Sequence, residues 1–162
     1  MKIIGIDPGY DRSGIAVVER NGAKDLLLYS FLVQTDKKQP IAERLASLSI
    51  QFEQILKDYK PDLVVMEQLF FSKNTTTALG VAEARGVILA AAGRVHLPTK
   101  EIGPMQVKQA ITGYGKAEKS AVAAMVSRLV ALPERKMIDD EMDAIAIALA
   151  GSAVFGNELR KK

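Results

Sequence analysis

The chain opens on a near-continuous apolar run, Ile3, Ile4 and Ile6, closed by Asp7 and the turn pair Pro8-Gly9. Such a run suits a central strand buried on both faces. Residues 8–14 are polar and turn-rich. Apolar positions then return over 14–19 and over 25–33, separated by the hairpin signal Asn21-Gly22. These runs predict a three-strand antiparallel meander with the first strand innermost. From Pro40 the spacing changes. Ile41, Leu45, Leu48, Phe52, Ile55, Leu56 and Tyr59 recur at helical intervals, which predicts an amphipathic helix with one buried stripe, ended by Pro61 and Asp62. Leu63-Val64-Val65-Met66-Glu67 repeats the opening pattern, a short apolar strand that ends in a carboxylate.

A helix is predicted over 76–92. It is rich in small residues, among them Ala78, Gly80, Ala82, Ala84 and Gly86. A glycine inside a helix costs roughly 0.5–1 kcal/mol relative to alanine, so two of them point to close approach of another element. A fifth strand over 97–102, a short helix from Gly103-Pro104, a helix over 117–132 and a last helix from Asp139 complete the pattern. The order predicts an α/β domain: a mixed five-stranded sheet, the antiparallel meander plus two parallel strands, flanked by helices on both faces. Residues 1–156 read as that single domain and 157–162 as a short basic tail.

Composition narrows the chemistry. At 162 residues the chain is long enough for one well-filled core. It has no cysteine and a single histidine, His96, which excludes disulfides, thiolate nucleophiles and His-rich metal sites. Any metal must rest mainly on oxygen ligands, which points to magnesium or manganese. No apolar run is long enough to span a bilayer and the N-terminus lacks a signal-peptide pattern, so a soluble, cytoplasmic protein is expected. The net charge of +3, from 22 Lys+Arg against 19 Asp+Glu, is compatible with a nucleic-acid partner without specifying one.

Four acids stand out: Asp7, Glu67, Asp140 and Asp143. Burying a carboxylate costs several kcal/mol unless it is paired, hydrogen-bonded or bound to a metal. The first strand is expected beside the fourth, which brings Asp7 and Glu67 side by side. Asp140 and Asp143 are three apart on a helix, so they share a face with β-carbons about 5–6 Å apart, and that face continues into Ile147 and Ala150. Asp139, expected as the N-cap, together with Asp140 and Glu141 also suits the positive end of a helix. Asp143, a turn further in on the apolar face, does not. If the four meet, they cannot all stay ionised without a cation. Two divalent ions about 3.5–4 Å apart would relieve the repulsion and clamp a phosphoryl group.

The segments Ile6-Asp7-Pro8-Gly9, Met66-Glu67-Gln68-Leu69-Phe70, Lys73-Asn74, Ala84-Arg85-Gly86, Gln106-Val107-Lys108-Gln109, Ala117-Glu118-Lys119-Ser120 and Asp143-Ala144-Ile145-Ala146 together resemble the bacterial RuvC Holliday-junction resolvases. The likeness covers nearly the whole chain, with the motifs in the family's order and spacing. It implies an RNase H-like fold and a homodimeric endonuclease of DNA recombination and repair. It also implies two Mg2+ ions per site, with Mn2+ able to substitute, and symmetric nicking of two strands of like polarity on a four-way junction. A branch-migration complex of RuvA and RuvB is the implied partner. Carried across, the metal-binding acids are Asp7, Glu67, Asp140 and Asp143, with Asp140 chosen over Asp139 and Glu141 for its spacing to Asp143. Lys119 takes a catalytic role near the scissile phosphate, Lys108 approaches it too, and Phe70 meets DNA bases near the crossover.

From the residues themselves, Phe71, Lys73 and Asn74 share the loop with Phe70, and Lys116 flanks a Gly-Tyr-Gly loop suited to phosphate. Ala78, Ala82, Gly86 and Leu89 form a low-profile face read as a dimer interface, with Arg85 assigned to it as well. A sugar-kinase or actin-like ATPase shares the Asp-ended strand and Gly-bearing hairpin, but needs two such domains where this chain has room for one. The alternatives retained are a related RNase H-like resolvase acting on other branched or RNA substrates, and a non-catalytic junction-binding module. The presence of all four acids argues against the latter.

Overall fold

The computed structural model describes residues 1–22, 24–69 and 75–159. Five strands and five helices follow in the order β1 (Lys2–Asp7), β2 (Arg12–Asn21), β3 (Lys24–Gln34), α1 (Ile41–Tyr59), β4 (Leu63–Glu67), α2 (Thr75–Arg94), β5 (Thr99–Ile102), α3 (Pro104–Thr112), α4 (Lys119–Leu129) and α5 (Asp139–Leu159). The sheet order is β3-β2-β1-β4-β5. β1–β2 and β2–β3 are antiparallel, whereas β1–β4 and β4–β5 are parallel. The mixed five-stranded sheet predicted from the sequence is therefore present, with β1 at its centre.

Alternation along the strands sorts their side chains into two cores. Ile4, Ile6, Ile15, Val17, Val64 and Met66 face α1 and α2, against Leu48, Phe52 and Ile88. Ile3, Ala16, Val18, Leu63 and Val65 face α3, α4 and α5. Burying each large apolar side chain contributes roughly 1.5–3 kcal/mol, so both faces of β1 carry stabilising contacts. α5 is the most enclosed helix, with every residue from Ala144 to Ala150 buried, as an all-round apolar helix requires. It packs across β1, β2 and β4 and carries α3 and α4 on its outer side.

Two glycines permit that packing. A β-carbon on Gly5 would lie 2.3 Å from Ala144 O and Ala148 N, and one on Gly14 would lie 1.9 Å from Asp140 O. Gly5 and Gly14 thus let the α5 backbone settle directly on the sheet, and the first turns of α5 reach the end of β1.

Local chemistry explains where elements differ from expectation. β5 begins at Thr99, not at 97: His96 takes a positive φ of 53°, and Pro98 has no N–H to donate to a ladder. α4 spans 119–129, shorter at both ends than the expected 117–132, because Glu118 and Val130 are both extended. α5 is capped by the main chain of Ile138, whose carbonyl accepts the N–H groups of Glu141 and Met142. Asp139 is consequently the first residue of α5 and not its N-cap. The same helix runs through Leu159, into the stretch read as a tail.

Candidate active site

Strand register fixes the first pair of acids. Gly5 lies beside Val65 and Ile6 beside Met66, so Asp7 and Glu67 leave the sheet as neighbours. Both share the parity of Ile3 and Gly5, or of Leu63 and Val65, and therefore point to the α5 side. Burial pushes the Asp7 carboxyl up to about 7, with the charges of Glu67, Asp143 and Asp140 adding to the rise and Lys119 opposing it. Glu67 is also raised, first by burial and then by Asp143, while Lys119 and Arg85 pull it back. The other three acids singled out in the sequence thus all act on Asp7.

α5 supplies the second pair, and its rotation distinguishes the three adjacent acids. Asp139 is largely in solvent, with its side chain 83% exposed. Glu141 is buried and accepts hydrogen bonds at 2.8 Å from both Nη1 and Nη2 of Arg135. That contact, with the Ile138 N–H, holds its carboxyl below the usual range. Asp140, between them, faces the site.

Two cations flank the acids. Lys119 Nζ donates to Asp143 Oδ2 at 2.8 Å and lies 3.6 Å from Asp139 Oδ2. The Asp143 hydrogen bond is the main reason that the Lys119 ammonium is raised above its usual range. On the other side, Arg12 Nη2 lies 3.2 Å from Asp140 Oδ2. This proximity is not a hydrogen bond, because Asp140 Oδ2 is buried and accepts none.

A cleft of about 210 Å³ opens beside these groups, lined by Glu67, Lys108, Lys119, Asp143 and an apolar wall that includes Val107 and Val122. Lys108 and Lys119, widely separated in sequence, are brought to one opening because α3 and α4 both pack on α5. Lys116 is exposed outside that lining. Phe70, Phe71, Lys73 and Asn74 lie outside the described residues.

The donor set is all-carboxylate, which suits a hard divalent cation. An orphaned buried oxygen on Asp140 and an Asp7 carboxyl raised by burial and by its acid neighbours are the features such a cation would relieve. Among the described residues, no three acids are already gathered as a metal-holding group. Asp143 and Asp140 are instead each engaged by a cation of the protein itself.

Further residues hold this arrangement, and sequence reading did not assign them to it. Arg85, read from the sequence as part of a dimer face on α2, is buried within the chain. Its guanidinium donates to the main-chain carbonyl of Glu67 and to the Glu101 carboxylate of β5. It therefore clasps the ends of two strands where the ladder stops. Ala78 is likewise buried, while Gly86 and Leu89 are exposed. Arg44 of α1 is buried beneath the turn after Asp7, donating to Tyr10 O and Asp11 Oδ1, each at 2.9 Å. Its guanidinium carbon sits 4.4 Å from the Tyr10 ring centroid. Gly5 carried a signal that could be read, since glycine inside an apolar strand marks close approach of another backbone. Nothing in the spacing of Arg44 or Arg12 pointed here.

Residues 3–151 match the family model described as "Crossover junction endodeoxyribonuclease RuvC". The crossover junction endodeoxyribonuclease RuvC of Thermosipho melanesiensis is 45% identical over 148 residues, covering 91% of this chain and 94% of its own. That of Desulforamulus reducens is 41% identical over 163 residues, covering 99% and 100%. A solved structure of T. thermophilus RuvC in complex with a Holliday junction substrate superposes with a TM-score of 0.92 at 36% identity, covering 98% of this chain and 97% of that one. The fold is thus the RNase H-like one that the sequence resemblance implied. With the family model matched over residues 3–151 and relatives more than 40% identical over nearly their whole length, the chain belongs to the RuvC family of crossover junction endodeoxyribonucleases.

Proposed function

We propose that this chain resolves four-way DNA junctions as a Mg2+-dependent homodimer, nicking two strands of like polarity symmetrically. The observation that carries the reading is Asp7. A carboxyl with a pKa near 7, raised by burial and three acid neighbours, is a group that exchanges its proton for a cation at physiological pH. Asp7, Glu67, Asp140 and Asp143 are the ligands assigned to Mg2+, with Mn2+ as a substitute. When bound, two such ions supply activation of the attacking water and charge neutralisation at the leaving oxygen.

The chain's own residues do the rest. Lys119 donates to Asp143 and lines the cleft, so its ammonium is positioned to meet a phosphate oxygen entering there. Lys108 lines the same cleft, and Lys116 adds charge outside it. Phe70, Phe71, Lys73 and Asn74 follow Glu67 directly in sequence and are assigned to the DNA bases and backbone on the strength of the family resemblance. The exposed α2 residues Gly86 and Leu89, with the partly buried Ala82, are assigned to the homodimer. RuvA and RuvB are the proposed partners, in the cytoplasm.

Cleavage mapping on a mobile four-way junction tests the proposal. Paired nicks at symmetric positions are expected with Mg2+ and none with chelator. A protein that holds the junction equally well in both conditions and never cuts it is a binding module. Preferential cutting of RNA or of other branched substrates moves the assignment to a related resolvase.

A further inference from the structure

Arg12 has no assigned role in the reaction, yet it is in contact with the site. It opens β2, immediately after the turn that follows Asp7. Its side chain is 51% exposed, and its Nη2 is 3.2 Å from Asp140 Oδ2. That oxygen is buried and accepts no hydrogen bond, so it is under-satisfied. On the opposite side Lys119 occupies Asp143. Two of the four acids therefore each carry a protein cation.

We propose that Arg12 is a displaceable counter-ion of Asp140, which competes with the divalent cation and so sets the site's affinity for it. This rests on the metal-binding role proposed for Asp140. The two members of the pair differ in freedom. Asp140 belongs to the first turn of α5, whose main chain is seated against Gly14 so closely that a β-carbon there would lie 1.9 Å from Asp140 O. Arg12 hangs on a long, half-solvated stem and can leave at low cost. A compact divalent ion brings more charge to the buried Oδ2 than a guanidinium that is partly screened by water. The competition is consequently winnable by the metal, with Arg12 as a modest opponent.

Calorimetric titration of Mn2+ into the full-length, DNA-free protein tests this without reading activity. Arg12→Gln should bind Mn2+ about two- to fivefold more tightly than wild type, the range expected for removing a half-exposed ion pair. Arg12→Met, which keeps the aliphatic stem, should shift the same way, and Arg12→Lys, which keeps the charge, should stay closer to wild type. Unchanged or weaker binding by folded Arg12→Gln and Arg12→Met overturns the proposal while leaving the metal-site reading intact. A wild-type protein that binds no Mn2+ overturns both.

Discussion

Asp7 is held in a state its chemistry resists. Its carboxyl is raised from 3.8 to about 7, so the folded chain retains a proton that the unfolded chain releases near pH 4. Stability linked to Asp7 is fully present below about pH 4 and is lost as pH rises through about 7. Metal-free Asp7→Asn should therefore melt above wild type at pH 8, with the gap closing toward pH 4, as followed by thermal denaturation in chelator. Divalent-ion affinity of the wild type should rise across the same window, because proton and cation compete for one carboxylate. Junction cutting by Asp7→Asn should be abolished with junction binding retained. Normal turnover by that variant would remove Asp7 from the metal site.

At the scale of elements, the site depends on two strand ends and one helix start being held at fixed distances. Arg85 satisfies the Glu67 carbonyl one residue past the last β1–β4 pair, Ile6 with Met66. Arg85→Met leaves that acceptor and the Glu101 carboxylate without their donor, and should cost about 1–3 kcal/mol in urea denaturation, with slower single-turnover cleavage. Cutting that stays at the wild-type rate would limit Arg85 to a stabilising role. Gly14→Ala probes the helix seat. Its new β-carbon would lie 1.9 Å from Asp140 O, so α5 must shift. A loss of about 1–3 kcal/mol and weaker metal binding are expected together. Both contacts escaped the sequence reading for one physical reason. Local periodicity reports which face of an element is buried, not which side chain or main-chain segment of another element comes to rest there.

At the scale of the molecule, paired nicking requires two sites held at a fixed separation. α2 presents Leu79, 66% exposed, and Leu89, and a β-carbon on Gly86 would meet nothing within 4 Å. That low apolar surface is the proposed dimer face. Leu79→Glu should give a monomer in sedimentation at micromolar concentration and should uncouple the two nicks. A dimer that persists with coupled nicking would place the interface elsewhere. Among the described residues, no helix is long and apolar enough to cross a membrane.

The sequence alone determined the strand and helix pattern, the central place of β1, and the positions of Asp7 and Glu67 at adjacent strand ends. These follow from apolar runs and their spacing, which are local properties. It also singled out Asp143, an acid on an apolar helix face. Spacing to Asp143 favoured Asp140 over Asp139 and Glu141, but only the tertiary structure separated the three, since each residue rotates a helix face by about 100°: Asp139 goes to solvent and Glu141 is taken up by Arg135. The structure likewise turned Arg85 inward, brought Arg12 to Asp140 and explained Gly5 and Gly14. Those facts depend on where a helix comes to rest on a sheet, and no periodicity along a single element encodes that.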